Sequence, residues 1–117
     1  MHKYLRLLPL LALLTSCGDL DTRSDTEKGY AALAEGDNPR AVRWLSAASK
    51  AKPDDPYLML DLAAAYQNLG KFDDARKLYQ KVIDTAKDVT PAKVDDPKLQ
   101  GKTLAEIAAA DLALLPK

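Results

Sequence analysis

Residues 62–75, LAAAYQNLGKFDDA, contain the end of one predicted helix, a glycine turn and the start of a second helix. The run of alanines that begins at Ala63 favours helix, and small side chains let a neighbouring helix approach closely. Gly70 supplies the residue that a left-handed turn at a helix end prefers. Beyond the turn, apolar residues recur at three- and four-residue intervals, which predicts an amphipathic helix. The members of this stripe are Phe72, Ala75, Leu78, Tyr79, Val82 and Ile83.

The same pattern occurs 34 residues earlier in the chain. Its second helix carries an apolar stripe of its own, with Val42, Trp44, Leu45 and Ala48. A period of this length, filled by two helices and a glycine turn, predicts an all-α array of stacked helix pairs. The matched positions are Gly36 with Gly70, Ala41 with Ala75, Leu45 with Tyr79, and Ala48 with Val82.

This helix–turn–helix unit resembles the tetratricopeptide repeat. The resemblance implies a first repeat over residues 26–55 and a second over residues 56–89. The first copy departs from the family at Lys28 and Ala32, which stand where large apolar residues are usual. The positions that carry the resemblance are Gly36, Ala41, Pro53, Leu62, Tyr66, Gly70, Ala75 and Tyr79.

The rest of the body completes an array of about two repeats. Residues 90–102 contain two prolines and a glycine among charges, which predicts a loop. Residues 103–117 are amphipathic again and predict a C-terminal capping helix on the second repeat. Cap patterns are Ser24 with Glu27, Thr103 with Glu106, Asn38 before Pro39, and Asp55 before Pro56. The predicted helices span 25–35, 39–51, 56–69, 72–87 and 103–115.

The N-terminal segment has the layout of a secretory signal peptide, with basic residues, an apolar run and small residues. Leu14-Thr15-Ser16-Cys17 resembles the lipobox of bacterial lipoproteins, which implies cleavage between Ser16 and Cys17 and acylation of Cys17, palmitate included. Residues 1–16 would then be the signal peptide, and residues 17–25 the lipidated cysteine and a flexible polar tether. The alternatives are an uncleaved anchor, a cytosolic amphipathic start, or ordinary cleavage that leaves a free thiol.

Composition excludes several classes of function. The sequence has one cysteine and one histidine, Cys17 and His2, so the mature part holds no His/Cys metal site and no nucleophile activated by histidine. Its 15 basic and 17 acidic residues, a net charge of −2, form no basic stripe for nucleic acid. We therefore expect no enzyme, no metal and no cofactor. Three adjacent aspartate pairs fit helix caps better than acid–base chemistry: Asp54-Asp55, Asp73-Asp74 and Asp95-Asp96.

The resemblance also implies a groove for a partner, lined by the first helix of each repeat. A plain solvent-facing surface is the alternative for these positions. Asp61 would repel a carboxylate, which argues against a clamp for a C-terminal carboxylate. Tyr66 and Tyr79 occupy positions that are packed in the family. The candidate groove residues are Tyr30, Leu33, Tyr57, Leu60, Ala64, Gln67 and Asn68.

Together these features predict a membrane-anchored lipoprotein that faces the periplasm and binds another envelope protein or peptide through its repeats. Envelope, pilus or secretion assembly would be its setting. Gly18 after the cysteine favours the outer membrane over the inner one. The alternative is a structural envelope lipoprotein that associates with copies of itself and has no dedicated peptide ligand.

Overall fold

A computed structural model describes residues 22–117 of the chain. The predicted signal peptide, the cleavage and lipidation site at Ser16 and Cys17, and most of the predicted tether lie outside the described residues. Within residues 22–117, no helix combines the length and the apolar character that crossing a bilayer requires.

The part of the chain that the structure describes contains five α-helices and no strand, so the predicted all-α array is confirmed. The first four helices form two antiparallel pairs, and the fifth packs on the second pair. A short 3₁₀ turn, Pro97–Leu99, interrupts the loop before the last helix. The helices are α1 (Asp25–Ala34), α2 (Asn38–Ala51), α3 (Pro56–Asn68), α4 (Phe72–Thr85) and α5 (Leu104–Ala113).

Side-chain caps fix where the first three helices begin. Ser24 forms a reciprocal capping box, because its hydroxyl accepts from the Glu27 N–H and the Glu27 carboxylate accepts from the Ser24 N–H. Asp55 caps α3, as predicted. The cap predicted at Asn38 is wrong, because Asp37 caps α2 by accepting from the Arg40 N–H at 3.3 Å. Asn38 is instead the first residue of the helix.

Both glycine turns have the same geometry, 34 residues apart. Gly36 and Gly70 have φ angles of +75° and +77°, in the left-handed region that side chains with a Cβ disfavour. The residue after each glycine donates its N–H to a carbonyl five residues earlier, from Asp37 to Ala32 at 2.8 Å and from Lys71 to Tyr66 at 2.9 Å. These are Schellman motifs, which satisfy the last carbonyls of α1 and α3 and reverse the chain.

The helix α3 is shared by two small cores. Its residues Leu58, Leu62 and Ala65 pack against buried side chains of α1 and α2, including Leu45. The adjacent stripe, with Met59 and Ala63, packs against α4 and α5. One helix therefore joins both halves of the array. The second core also contains Ala75, Tyr79, Val82, Ala86, Leu104, Ala108 and Leu115.

The helix α5 closes the second core, as predicted for a capping helix. The Leu104 N–H donates to the Val89 carbonyl at 2.7 Å, which ties the start of α5 to the end of the preceding repeat. At the other end, the Arg76 guanidinium donates to the Pro116 carbonyl at 2.7 Å. The array is thus held at both ends of its last helix.

The apolar stripe predicted on α2 is only partly buried. Leu45 and Ala48 lie in the core, but Trp44 is half-exposed and outside both cores. The Lys28 ammonium lies 4.4 Å from its ring centroid, and the Arg43 guanidinium lies 4.8 Å from it. These cations cover the indole by cation–π contact. The Trp44 ring is therefore covered by charged side chains rather than by the apolar core that the stripe predicted.

Candidate partner-binding face

The first helices of the successive units, α1, α3 and α5, lie side by side. The helix α1 contacts α3, and α3 contacts α5. One side of this layer carries two large exposed aromatic side chains, Tyr30 on α1 at 42% exposure and Tyr57 on α3 at 41%. We call this side the groove face and define it by Tyr30, Tyr57, Asp61, Ala64, Ile107 and Asp111.

The structure places the other candidate groove residues at different depths. Leu33 and Leu60 are partly buried and pack against the two cores. Gln67 is partly buried, and its side-chain oxygen accepts a hydrogen bond from the buried Tyr79 hydroxyl at 2.7 Å. Asn68 is exposed and donates to the Asn38 side chain at 3.1 Å, which joins the end of α3 to the start of α2.

Asp61 lies in the middle of the groove face, one helical turn after Tyr57. Burial raises the pKa of Asp61 to about 6. The polar Tyr30 side chain nearby partly opposes that rise, and the charge of Asp55 adds to it. The pKa of Tyr30 is raised in turn by burial and by the charge of Asp61. Tyr30 of α1 and Asp61 of α3 are therefore neighbours on this face.

A second half-buried carboxyl, Asp111, lies on α5. Burial raises its pKa as well. The pKa of the buried Tyr79 is raised to about 12, first by burial and then by the charges of Asp111 and Asp61. Asp61 on α3 and Asp111 on α5 are therefore both close enough to Tyr79 to act on it electrostatically.

Neither carboxylate is neutralised by a cation within residues 22–117. Ion pairs between residues of this part of the chain are those of Arg40, which lies near Glu35 and Asp37, and of Arg76, which pairs with Asp73 at 2.8 Å. No cation contributes to the pKa of Asp61 or Asp111. At neutral pH the groove face therefore presents negative charge that this part of the chain leaves uncompensated.

An apolar cleft of about 420 Å³ opens beside Tyr57. Its size is within the range of pockets that hold a bound group. The loop after α4 forms one wall of the cleft, and the start of α5 forms the other. Pro91 is buried and holds the loop against the helices. The lining residues are Tyr57, Pro91, Lys93, Val94, Asp95, Asp96, Leu99, Leu104 and Ile107.

A sequence model of the tetratricopeptide repeat family matches residues 32–100, more than half of the chain. The chain belongs to the tetratricopeptide repeat family. No curated protein and no solved structure gives a significant match to it. Tetratricopeptide repeats generally mediate protein–protein interaction and are typically scaffolds rather than enzymes. The groove face is formed by the helices that line the partner groove in this family.

The three aspartate pairs lie at helix starts and in loops of the repeats, away from a common site. Asp55 caps α3, and Asp96 caps the 3₁₀ turn through the Lys98 N–H at 2.9 Å. Asp73 and Asp74 occupy the first turn of α4, where negative charge compensates the helix dipole. In the part of the chain that the structure describes, no three carboxylate, histidine or cysteine groups come together as a metal site.

Sequence reasoning missed the contribution of α5 and of the preceding loop to this face of the repeat array. Ile107 and Leu104 line the cleft, and Asp111 lies one turn beyond Ile107. In the sequence, the apolar residues Val94 and Leu99 among the charges of the loop indicate that part of the loop is buried. Their burial partner could not be identified without the docking position of α5.

Proposed function

We propose that this tetratricopeptide repeat protein is a lipid-anchored adaptor that holds another envelope protein or peptide on the periplasmic side of a bacterial membrane. The observation that carries the proposal is the pair of exposed tyrosines, Tyr30 and Tyr57, on the face that the family uses for partners. Tyrosines are enriched at binding hot spots, because they bury much area and lose little side-chain entropy. A role in envelope, pilus or secretion assembly suits such an adaptor.

The anchor half of the proposal is supported by the sequence Leu14-Thr15-Ser16-Cys17 after an apolar run. The two or three acyl chains of a mature bacterial lipoprotein would hold the protein firmly, since one chain alone binds only marginally. Gly18 favours delivery to the outer membrane. Membrane fractionation with metabolic labelling by a palmitate analogue tests this half. Label and membrane location should both disappear in Cys17→Ser, and an unlabelled but membrane-bound wild type would refute acylation.

The adaptor half is tested by cross-linking in living cells followed by affinity purification of the full-length protein. We expect one dominant protein partner with the wild type and a reduced yield with Cys17→Ser, because an unanchored adaptor loses its location. If the two forms captured the same set of proteins in equal amounts, anchoring would have no role in partner binding.

A second candidate is self-association through the open end of the array. The outer side of α5 is apolar and exposed, with Leu114 at 75% exposure next to Ala110 and Ala113. A further repeat would pack on this side in a longer array. Sedimentation of residues 18–117 separates the two candidates: a dimer that depends on concentration favours self-association, whereas a monomer at all concentrations favours the adaptor.

A further inference from the structure

We propose that the cleft beside Tyr57 and the two aspartates one turn beyond it form a docking site for a basic amphipathic segment of the partner protein. An apolar side chain of that segment enters the cleft, and a lysine or arginine next to it reaches Asp61 or Asp111. This inference rests on the adaptor function proposed above and specifies the chemistry of its partner.

The same arrangement occurs on two neighbouring helices. On α3, Tyr57 lines the cleft and Asp61 follows four residues later; on α5, Ile107 lines the cleft and Asp111 follows four residues later. Residues four apart on a helix lie on one face, with Cβ atoms about 6 Å apart. Both carboxylates raise the pKa of Tyr79, so both lie near that side chain. An apolar region and an acidic region are therefore adjacent on the same face.

The apolar lining of the cleft favours its occupation by an apolar side chain of the partner rather than by water. Tyr57, Val94, Leu99, Leu104 and Ile107 supply most of the wall, and the cleft of about 420 Å³ has room for an aliphatic or aromatic side chain. Burial of apolar area in such a cleft is the usual source of anchor-residue affinity.

The charges around the cleft select a basic segment. Asp61 and Asp111 are partly desolvated and lack an ion-pair partner among residues 22–117. Asp55 adds negative charge near Asp61. The rim of the cleft contributes two aspartates and one lysine, Asp95, Asp96 and Lys93, so it is also negative on balance. A cation from the partner would compensate the partly desolvated carboxylates, whereas an acidic segment would be repelled.

The test is site-specific photo-cross-linking with the full-length protein in living cells. p-Benzoylphenylalanine is introduced at Tyr57, and the cross-linked segment is identified by mass spectrometry. The cross-link yield is then measured in a background of Asp61→Asn with Asp111→Asn. The matched control is Asp74→Asn with Asp84→Asn, which removes the same charge from exposed positions on α4. The amide of asparagine keeps the size of each side chain.

The expected result has two parts. The cross-linked segment contains a lysine or arginine beside an apolar residue. The yield falls about tenfold or more in the Asp61/Asp111 variant, as loss of a close charge pair implies, and is unchanged in the control. Removal of the two partly desolvated charges should not destabilise the folded state, so a lower cross-link yield reports on partner binding.

Other outcomes would overturn the inference, and they separate its failure from failure of the adaptor function. Equal yields in both double variants, or an acidic or uncharged segment, would mean that the groove binds a partner without this charge recognition. A segment of the same chain would identify the occupant as a second copy. If Tyr57 gave no cross-link while chemical cross-linking captured a partner, the cleft would be the wrong surface. If neither method captured a partner, the adaptor function would fail as well.

Discussion

Replacing Asp61 with asparagine should stabilise the protein, although it removes a charge from the proposed binding face. The folded state holds this carboxyl in a partly buried position without a cation, and burial raises its pKa from the ordinary value of 3.8 to about 6. Asparagine keeps the size of the side chain and an oxygen that can accept a hydrogen bond, but it carries no charge to desolvate. The substitution therefore removes a cost that the wild type bears at neutral pH.

The magnitude follows from proton linkage. A pKa unit corresponds to about 1.4 kcal/mol, so the difference corresponds to at most about 3 kcal/mol. Solvent screens part of the cost because the side chain is partly exposed, and we expect about 1–2 kcal/mol. Because the folded state binds the Asp61 proton more tightly than the unfolded state, the contribution of Asp61 to wild-type stability falls as the pH rises from about 4 to about 6 and is constant above that range.

Urea denaturation of residues 18–117, followed by circular dichroism, measures the effect. At about pH 8 the Asp61→Asn variant should unfold with a free energy about 1–2 kcal/mol above the wild type, and at about pH 4 the two should converge. Asp88→Asn, at an exposed position after α4, should show neither effect. An Asp61→Asn variant that is less stable than wild type at about pH 8, or a difference that does not change with pH, would refute the reasoning.

Three further substitutions test the packing of the repeats, each by urea denaturation. Gly29→Ala should destabilise by about 1 kcal/mol, because its Cβ would lie 2.5 Å from the buried Leu45 side chain and overpacking outweighs the gain in helix propensity; a more stable variant would contradict the contact. Tyr79→Phe should cost about 1 kcal/mol through loss of the hydrogen bond to Gln67, and an unchanged stability would show that bond to be unimportant. Gly70→Ala should cost about 1–2 kcal/mol, because alanine disfavours a φ of +77°; no loss would mean that the turn relaxes easily.

The helical array could be predicted because its determinants are local. Glycines 34 residues apart, with an apolar stripe after each, specify two helix pairs, and Gly36 and Gly70 adopt the left-handed conformation that this prediction requires. The start of α2 was misplaced by one residue, because Asp37 and Asn38 are both good cap residues. The choice between them depends on which side chain reaches the Arg40 N–H, and that depends on the preceding turn.

The chemistry of the groove face could be predicted only in part, because it depends on contacts between distant residues. The family resemblance pointed to Tyr30 and Tyr57, which are exposed on that face. It could not show that Gln67 turns inward to the Tyr79 hydroxyl, since that contact depends on the packing of α3 against α4. Nor could it place Asp111, whose position is set by how the loop docks α5 on the second repeat.

The central claim is that the groove face, rather than the open end of the array, binds the partner. Its most direct test compares Tyr57→Ala with Leu114→Ala in full-length protein, by the amount of partner that is cross-linked in cells. Both side chains are large, apolar and exposed, so either truncation should leave the fold intact. The account predicts that Tyr57→Ala lowers the captured amount severalfold and that Leu114→Ala leaves it unchanged. Loss of capture with Leu114→Ala alone would contradict the claim and assign binding to the end of the array.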